Sequence, residues 1–270
     1  MAQPINPKDT QDRKVVADHL YKDRGPGEAS ARCDANAKFG SFDLADEMLQ
    51  RLDLSPGLTV VDVGCGSGQH LVPYTAAVGE SGTARGFDFS PKAIENSRAR
   101  GVMADVADGG NLPLPDGYAD RVSSAYSIYY LPDLHTAMVE WHRILKQGGK
   151  LVVCGPADDT NAELYDFHRK VTGEGPADVD TLSLGYVAER LPPELQGLGY
   201  TGIKTETLTN PIRFPSIDEF IDYWTSTSLF ARGVPEDKRE ATIAAGRKEL
   251  ADRTDFTVTK RIAVVSATRA

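Results

Sequence analysis

Residues 60–70 carry the feature that most limits how this chain can fold: an apolar run that leads directly into three glycines at alternate positions. The segment reads Val-Val-Asp-Val-Gly-Cys-Gly-Ser-Gly-Gln-His. Gly64, Gly66 and Gly68 leave the backbone open to a ligand, and glycine permits the positive φ angles of a tight strand-to-helix turn. A strand that continues into such a loop and then a helix predicts a nucleotide-like ligand at the carboxyl edge of a parallel sheet.

The spacing of these glycines excludes two familiar phosphate-binding loops. A dinucleotide fingerprint has the form G-x-G-x-x-G, and here Gln69 stands where its third glycine belongs. A Walker loop needs a lysine directly after its last glycine, and no lysine follows Gly68. A nicotinamide-dependent oxidoreductase on a related fold is therefore a less favoured alternative.

A second segment, residues 86–91, predicts the end of a second strand and the start of a helix. Ser90 supplies a capping hydroxyl, and Pro91 suits the first helical position. Asp88 lies at the predicted strand end, roughly twenty residues beyond the glycines, where an acidic side chain accepts hydrogen bonds from ribose hydroxyls in related folds. Strands and helices alternate from there to about residue 154, which predicts a parallel sheet.

Together these segments resemble the class I S-adenosylmethionine (SAM)-dependent methyltransferases. The resemblance covers residues 42–155, includes Arg-Ile-Leu-Lys-Gln-Gly-Gly at 143–149, and is nearest to the small-molecule group of ubiquinone and menaquinone biosynthesis. It implies SAM as methyl donor and S-adenosylhomocysteine (SAH) as product. It also implies an α/β fold: a Rossmann-like seven-stranded sheet, mostly parallel, with helices on both faces and a mainly helical cap. The last strand is expected to run antiparallel between strands five and six.

The resemblance also assigns cofactor-binding residues. Asp62 and the glycine loop are expected to hold the methionine part of SAM, and Asp88 the ribose. Asp108, four residues before Leu-Pro, is expected to contact the adenine amino group, with Gly109 as its neighbour in the pocket. Asp105 is the alternative for this role, and Asp108 is favoured. Cys65 is expected to pack within the loop rather than act as a nucleophile. The remaining residues assigned to the same pocket are His70, Phe89 and Tyr126.

Methyl transfer from a sulfonium requires mainly that donor and acceptor be aligned. A general base is needed only for an unactivated hydroxyl, a protonated amine or a carbon acid. Tyr129 and Tyr130 follow the predicted fourth strand, and the fold implies that this strand ends beside the methyl group. His135 lies a few residues further on, in the predicted first turn of a helix, and His168 is a further candidate base. No carboxylate cluster indicates a metal, and none is expected.

Composition favours a small acceptor. The formal net charge is −9, which argues against a protein that follows phosphate backbones. The three cysteines are widely spaced and indicate neither a disulfide framework nor a metal site, so a cytoplasmic setting is expected. No apolar run approaches the length of a membrane span. A tRNA or rRNA methyltransferase and a SAM-binding protein without transfer activity remain alternatives, and the N-terminal helices could form a homodimer.

The chain is expected to form an N-terminal tail with cap helices over residues 1–40 and one methyltransferase domain over 41–270. Cap insertions are predicted at about 155–200 and 211–253, and their aromatic residues suit an apolar acceptor. The predicted helices cover residues 42–52, 138–145, 161–171, 187–198, 216–230 and 235–252. Gly148 and Gly149 are expected to end the second of these. Late strands are predicted at 202–208 and 256–268.

Overall fold

A computed structural model describes residues 35–36, 38–176 and 181–270. Most of the N-terminal tail and cap helices predicted over residues 1–40 lies outside the described residues, namely 1–34 and 37, as do residues 177–180. In the described part of the chain, no helix is both long enough and apolar enough to cross a bilayer.

Seven strands form one sheet in the order β3-β2-β1-β4-β5-β7-β6. Neighbouring strands are parallel from β3 to β5, and β7 runs antiparallel to both β5 and β6. This confirms the predicted fold, including the last strand between the fifth and sixth. The strands are β1 (Thr59–Val63), β2 (Thr83–Asp88), β3 (Met103–Val106), β4 (Ala119–Ala125), β5 (Leu145–Pro156), β6 (Tyr200–Phe214) and β7 (Phe256–Arg269).

Helices cover both faces of the sheet, which explains why its central strands are apolar on both sides. Val61 and Val63 of β1 face one cluster of buried side chains, whereas Val60 faces a second cluster with Leu71 and Tyr74. The helices are α1 (Leu44–Leu52), α2 (Leu71–Val78), α3 (Pro91–Ala99), α4 (Leu134–Ile144), α5 (Ala162–Thr172), α6 (Tyr186–Gly197), α7 (Ile217–Thr225), α8 (Ser228–Gly233) and α9 (Arg239–Glu249).

The glycine pair after α4 has a different role from the predicted one. The helix begins earlier than expected, at Leu134, where the Asp133 carboxylate accepts a hydrogen bond from Thr136 N–H. It ends at Ile144 with the next residue already extended, so no left-handed glycine closes it. Gly148 (φ +73°) instead turns a loop inside β5, which restores pairing with β4 at Lys150. The prediction was wrong because a turn within a strand needs the same positive φ as a helix end.

The β6–β7 hairpin is longer than predicted. Residues 256–261 of β7 extend past the end of β5, by about 20 Å at strand geometry. The insertion between these two strands therefore begins after Phe214 rather than at residue 211. Its first predicted helix is in fact two, because Thr227 caps α8 by accepting a hydrogen bond from Phe230 N–H. The last helix is also shorter than predicted, covering Arg239–Glu249.

The insertion and α5 enclose a third buried cluster, called here the cap cluster. Because β6 runs parallel to β1–β5, its end at Phe214 lies on the carboxyl side of the sheet, and the cap cluster stands at that edge. Ring pairs hold it together: Phe220 stacks on Phe256 at 3.9 Å, and Phe167 meets Trp224 edge-on at 4.9 Å. Aromatic pairs of this kind contribute beyond the area they bury.

Candidate active site at the carboxyl edge of the sheet

The glycine loop, residues 64–70, connects β1 to α2 in the conformation that the sequence predicts. Gly64, Gly66 and Gly68 have φ angles of +73°, +54° and +78°. A Cβ at Gly64 would collide with the Ser127 side chain, and one at Gly68 would lie 2.9 Å from Ser97 Oγ. At Gly66 a Cβ would meet no atom within 4 Å. The first and third glycines therefore permit close packing, while the middle one leaves open space beside the backbone.

Asp88 ties this loop to the end of β2. Its Oδ2 accepts a hydrogen bond from Gly66 N–H at 2.9 Å, and its Oδ1 accepts one from Ser90 N–H at 2.9 Å. The side chain is only 3% exposed, and burial raises the pKa of the carboxyl above its ordinary value. A carboxylate has about four acceptor positions, so two remain for hydroxyl donors. Contact with a ribose stays a prediction, but the number of free acceptor positions fits it.

Asp62 lies beneath the loop, inside the sheet. It pairs directly with Ser123 of β4, whose hydroxyl donates to Asp62 Oδ1 at 2.5 Å. The side chain is 2% exposed, and burial raises the pKa of Asp62 to about 7. A residue in this position supports the loop from below, and direct contact with a ligand is not part of the geometry seen here.

Two further loop residues are electrically neutral. Cys65 is buried, and burial raises the pKa of its thiol, with the charges of Asp62 and Asp88 acting in the same direction. The thiol therefore stays protonated and is no nucleophile. His70 immediately precedes α2, and burial lowers its pKa to about 4, although Asp43 opposes the shift. Its ring lies 6.1 Å from Tyr74.

The two aspartates considered for adenine lie in different surroundings. Asp105 is part of β3 and forms ion pairs with Arg85 at 2.7 Å and Arg98 at 2.8 Å; the Arg85 guanidinium above all holds its pKa low. Asp108 is exposed in the following loop, where it accepts a hydrogen bond from Gly110 N–H at 2.8 Å. This placement supports Asp108 over Asp105, because only Asp108 has no cationic partner among the described residues.

The loop around Asp108 lies next to the glycine loop. Ala107 N–H donates to the Asp88 carbonyl at 3.0 Å, and Trp141 Nε1–H donates to the Gly109 carbonyl at 2.8 Å. A Cβ at Gly109 would lie 3.1 Å from Val63 Cγ1, at the end of β1. The structure thus brings Asp88, Asp108 and Gly109 to one edge. Phe89, next to Asp88, is 39% exposed there.

Tyr126 follows β4 with a left-handed backbone (φ +56°), which is rare for a bulky side chain. Its N–H donates to the Cys154 carbonyl at 2.9 Å, which secures the bend against β5. Burial raises the pKa of its phenol. Cys154 on β5 and Tyr223 in the cap cluster add to that shift. Such strain clusters at functional sites. The bend carries the chain past Gly64 through Ser127, whose hydroxyl donates to the Val63 carbonyl at 3.2 Å.

Tyr129 and Tyr130 lie in the short 3₁₀ turn after this bend, Ile128–Tyr130. Their rings meet edge-on at 4.5 Å. Tyr129 is 4% exposed, and its Cε1 would lie 3.5 Å from a Cβ at Gly155, near the end of β5. Tyr130 is half-buried. Both residues therefore stand at the carboxyl edge, with Tyr129 packed against the sheet and Tyr130 nearer the surface.

The two candidate histidine bases each have a partner on a neighbouring helix. His135 is 66% exposed and binds Glu194 of α6, with 2.9 Å between its Nδ1 and the carboxylate Oε2. His168 is buried in α5, where Trp224 Nε1–H donates to its Nδ1 at 3.1 Å. Both side chains thus connect helices. Within the described residues, no group of three or more His, Cys, Asp or Glu side chains could hold a metal ion.

Sequence reasoning missed two serines that shape the loop. Ser97 of α3 donates from its hydroxyl to the Gly66 carbonyl at 2.8 Å, and Ser127 packs against Gly64. Ser97 carried a detectable signal, since it follows Ile94 by three residues and so shares the buried face of a helix. Ser127 carried none, because its partner is distant in the chain.

Comparison with known proteins places this chain in a family. Residues 61–153 match the model of a methyltransferase domain. Methyltransferase GfsG from Streptomyces halstedii is 33% identical over 242 residues, which cover 84% of this chain and 82% of that protein. The chain belongs to the class I SAM-dependent methyltransferases. The predicted resemblance to the small-molecule group is confirmed.

Other similarities cover shorter segments or show the fold alone. A demethylmenaquinone methyltransferase from Bacillus licheniformis is 31% identical over 127 residues. The matched segment covers 45% of the present chain and 53% of the Bacillus protein, about half the length of that relative. The crystal structure of the [4+2]-cyclase SpnF superposes with a TM-score of 0.56 at 18% identity, over 99% of each chain.

The residues at the carboxyl edge fit SAM. Gly66 leaves space beside the loop, Asp88 keeps acceptor positions free, and Asp108 offers a carboxylate to an amino group. The glycine spacing, which lacks the third glycine of a dinucleotide fingerprint at Gln69, argues against a pyrophosphate ligand.

Proposed function

We propose that this methyltransferase moves a methyl group from SAM to an O, N or C atom of a small, partly apolar metabolite and releases SAH. The observation that carries the proposal is the open space at Gly66, on the same edge of the sheet as the aromatic cap cluster. A polar cradle for the donor and an apolar wall for the acceptor suit a small organic substrate. The net charge of −9 disfavours RNA as acceptor.

The cofactor would be held by backbone and carboxylates. The glycine loop would hold the methionine part, with Asp62 supporting it from below. Asp88 would accept the ribose hydroxyls, and Asp108 the adenine amino group beside Gly109. The further pocket residues of the proposal are Cys65, His70, Phe89 and Tyr126.

When bound, SAM supplies a methyl group on a positively charged sulfur. SAH is a good leaving group, because its sulfur becomes neutral when the methyl group is transferred. The chain then has to place the acceptor in line behind that methyl group, and well-placed reactants accelerate such a step strongly. Tyr129 and Tyr130 are proposed to orient the acceptor, since they follow β4 at the carboxyl edge. His135 is proposed as the base where the acceptor needs one, since a carboxylate such as Glu194, 2.9 Å from its Nδ1, can orient a histidine for proton transfer. His168 bonds to Trp224 within the cap and takes no role in the proposal.

The test is transfer of an isotopically labelled methyl group. The full-length protein is incubated with labelled SAM, a chelator and a panel of quinols, phenols and other small, partly apolar metabolites, with tRNA in a separate arm. Mass spectrometry should find the label in a small molecule, together with SAH release. Label in tRNA alone would contradict the acceptor class. SAM binding without any transfer would indicate that this protein uses the fold for other chemistry. The name of SpnF, a [4+2]-cyclase, indicates such a use for that protein.

A further inference from the structure

We propose that Asn210 is a positioning residue for the cofactor site, although it lies on the edge strand β6, two strands beyond β5. It fastens the chain segment 38–43, which runs from the cap cluster to the glycine loop. By holding this segment, Asn210 couples the packing of the cap to the shape of the loop. The proposal rests on the proposed function only in its prediction for SAH binding.

Asn210 is the polar residue on the buried face of the last part of β6. It is 4% exposed and alternates with Thr209 and Arg213 on the exposed face, whereas Ile212 and Phe214, on its own face, are fully buried. Its Oδ1 accepts hydrogen bonds from Ser41 N–H at 2.7 Å and Ser41 Oγ at 3.0 Å. Its Nδ2 donates to the Phe42 carbonyl at 3.2 Å. Burying an amide is costly unless it is bonded in this way, so these contacts account for its burial.

Gly40 shows how closely the segment approaches this amide. A Cβ at Gly40 would lie 3.1 Å from Asn210 Oδ1 and 3.2 Å from its Nδ2, and would collide with the Asn36 carbonyl oxygen. The Gly40 N–H donates to that same carbonyl at 2.9 Å. The chain is therefore seated directly on the asparagine, and a side chain at Gly40 would push it away.

One end of the segment binds the cap. The Phe39 ring lies 5.3 Å from the ring of Phe214, a member of the cap cluster at the end of β6. Lys38 Nζ forms an exposed ion pair with Glu219 of α7 at 3.1 Å. Both partners belong to the region that would wall the acceptor.

The other end of the segment leads to the glycine loop. Asp43 caps α1 by accepting a hydrogen bond from Ala45 N–H, and its negative charge acts on His70, the last loop residue. Phe42 packs against the buried cluster that contains Cys65 and Leu71. A shift of the segment would therefore disturb the buried cluster on which the glycine loop packs.

Removing the asparagine amide should loosen this connection. Asn210→Leu keeps side-chain bulk but loses all three hydrogen bonds. Asn210→Asp keeps the acceptor for Ser41 but replaces the donor to Phe42 with an oxygen. We expect SAH affinity to fall by about tenfold in the leucine variant and by an intermediate factor in the aspartate variant. Thr209→Ala, an exposed change one residue away, is the matched control and should leave affinity unchanged.

The experiment combines calorimetry with hydrogen exchange. SAH is titrated into the full-length wild type and the three variants, after circular dichroism has verified that each is folded. Amide exchange is measured in parallel without ligand; the leucine variant should exchange faster both in residues 38–43 and in the glycine loop. If exchange rises in the segment but not in the loop, or if a folded Asn210→Leu binds SAH as the wild type does, the coupling is wrong.

The two readouts separate the two proposals. A wild type that binds no SAH contradicts the proposed function, while the exchange data still decide the role of Asn210. If Asn210→Leu does not fold, Asn210→Asp supplies both measurements. Unchanged exchange and affinity in that folded variant would then overturn the inference.

Discussion

Gly66 N–H donates to the Asp88 carboxylate at 2.9 Å, so the acidic residue proposed to bind the cofactor also shapes the loop that would hold it. The same carboxylate accepts a second backbone donor, Ser90 N–H, at the start of α3. One side chain thus joins β2, the glycine loop and a helix start. Binding and local folding cannot be separated at this position, which changes what its substitution should do.

Asp88→Ala is expected to weaken SAH binding and to lower stability together. Lost hydrogen bonds to a charged group weaken binding by about 1.5–3 kcal/mol, or about ten- to a hundredfold in affinity. Gly66 N–H and Ser90 N–H would also lose their acceptor, and an unsatisfied buried donor costs about 1–3 kcal/mol of unfolding free energy. Calorimetry and denaturant unfolding measure the two effects.

Glu95→Gln, which neutralises an exposed carboxylate on α3, is the control for the loss of one negative charge. It should change neither quantity appreciably. Normal SAH affinity in a folded Asp88→Ala protein would place ribose recognition on another residue.

The pKa of Asp62 predicts a specific pH dependence of stability. Burial raises this pKa from 3.8 to about 7, so the folded protein holds a proton at Asp62 that the unfolded chain has already released between about pH 4 and pH 7. The contribution of Asp62 to unfolding free energy therefore falls as pH rises through that window. Asp62→Asn keeps an acceptor for Ser123 Oγ and cannot titrate.

Urea unfolding of both proteins across this window checks the prediction. The free energy of the asparagine variant relative to wild type should rise with pH. His70, whose pKa is lowered to about 4, has the opposite slope, but it is present in both proteins and cancels in the difference. A difference that does not vary with pH would mean that Asp62 titrates normally in the folded protein.

Much of the site could be predicted because its signals are local. The alternate glycines indicate their own positive φ angles, and Ser90 with Pro91 marks the start of α3, where the Ser90 hydroxyl accepts from Ala93 N–H. These features depend on residues a few positions apart. The resemblance adds the place of the last strand, antiparallel between the fifth and sixth, and the structure confirms it.

What could not be predicted depends on distant partners. The end of β6 contains Asn210 and Pro211, which look unlike a strand, yet pairing with β7 extends it to Phe214. Proline has no N–H to donate, and an edge strand tolerates it at a position where the N–H of another residue would point to solvent rather than to the neighbouring strand. The sequence likewise gives no sign that His135 has a partner, because Glu194, which binds it, lies 59 residues away.

Trp224→Phe is expected to destabilise the cap. The phenylalanine keeps an aromatic ring in the cap cluster but loses the donor to His168 Nδ1, a buried atom. Leaving that nitrogen unsatisfied should lower the unfolding free energy by about 1–3 kcal/mol. His135→Ala is the contrasting variant: it breaks an exposed pair with Glu194, which should cost about 0–1 kcal/mol. Equal losses in the two variants would mean that the buried bond has no special weight.

Substitution of Tyr129 and Tyr130 tests the proposed alignment of the acceptor. Each tyrosine is changed to phenylalanine, which keeps the edge-on ring contact at 4.5 Å and removes only the hydroxyl. If a hydroxyl orients the acceptor, turnover should fall by about two- to tenfold, the loss of one neutral hydrogen bond, while SAH affinity stays within about twofold. Tyr130→Phe should have the larger effect because Tyr129 is packed against the sheet and only 4% exposed.

Turnover is measured with the acceptor found in the labelling experiment, and SAH affinity by calorimetry. Unchanged turnover in both variants would remove these residues from the active site, whereas equal losses in turnover and SAH affinity would assign them to the cofactor pocket instead.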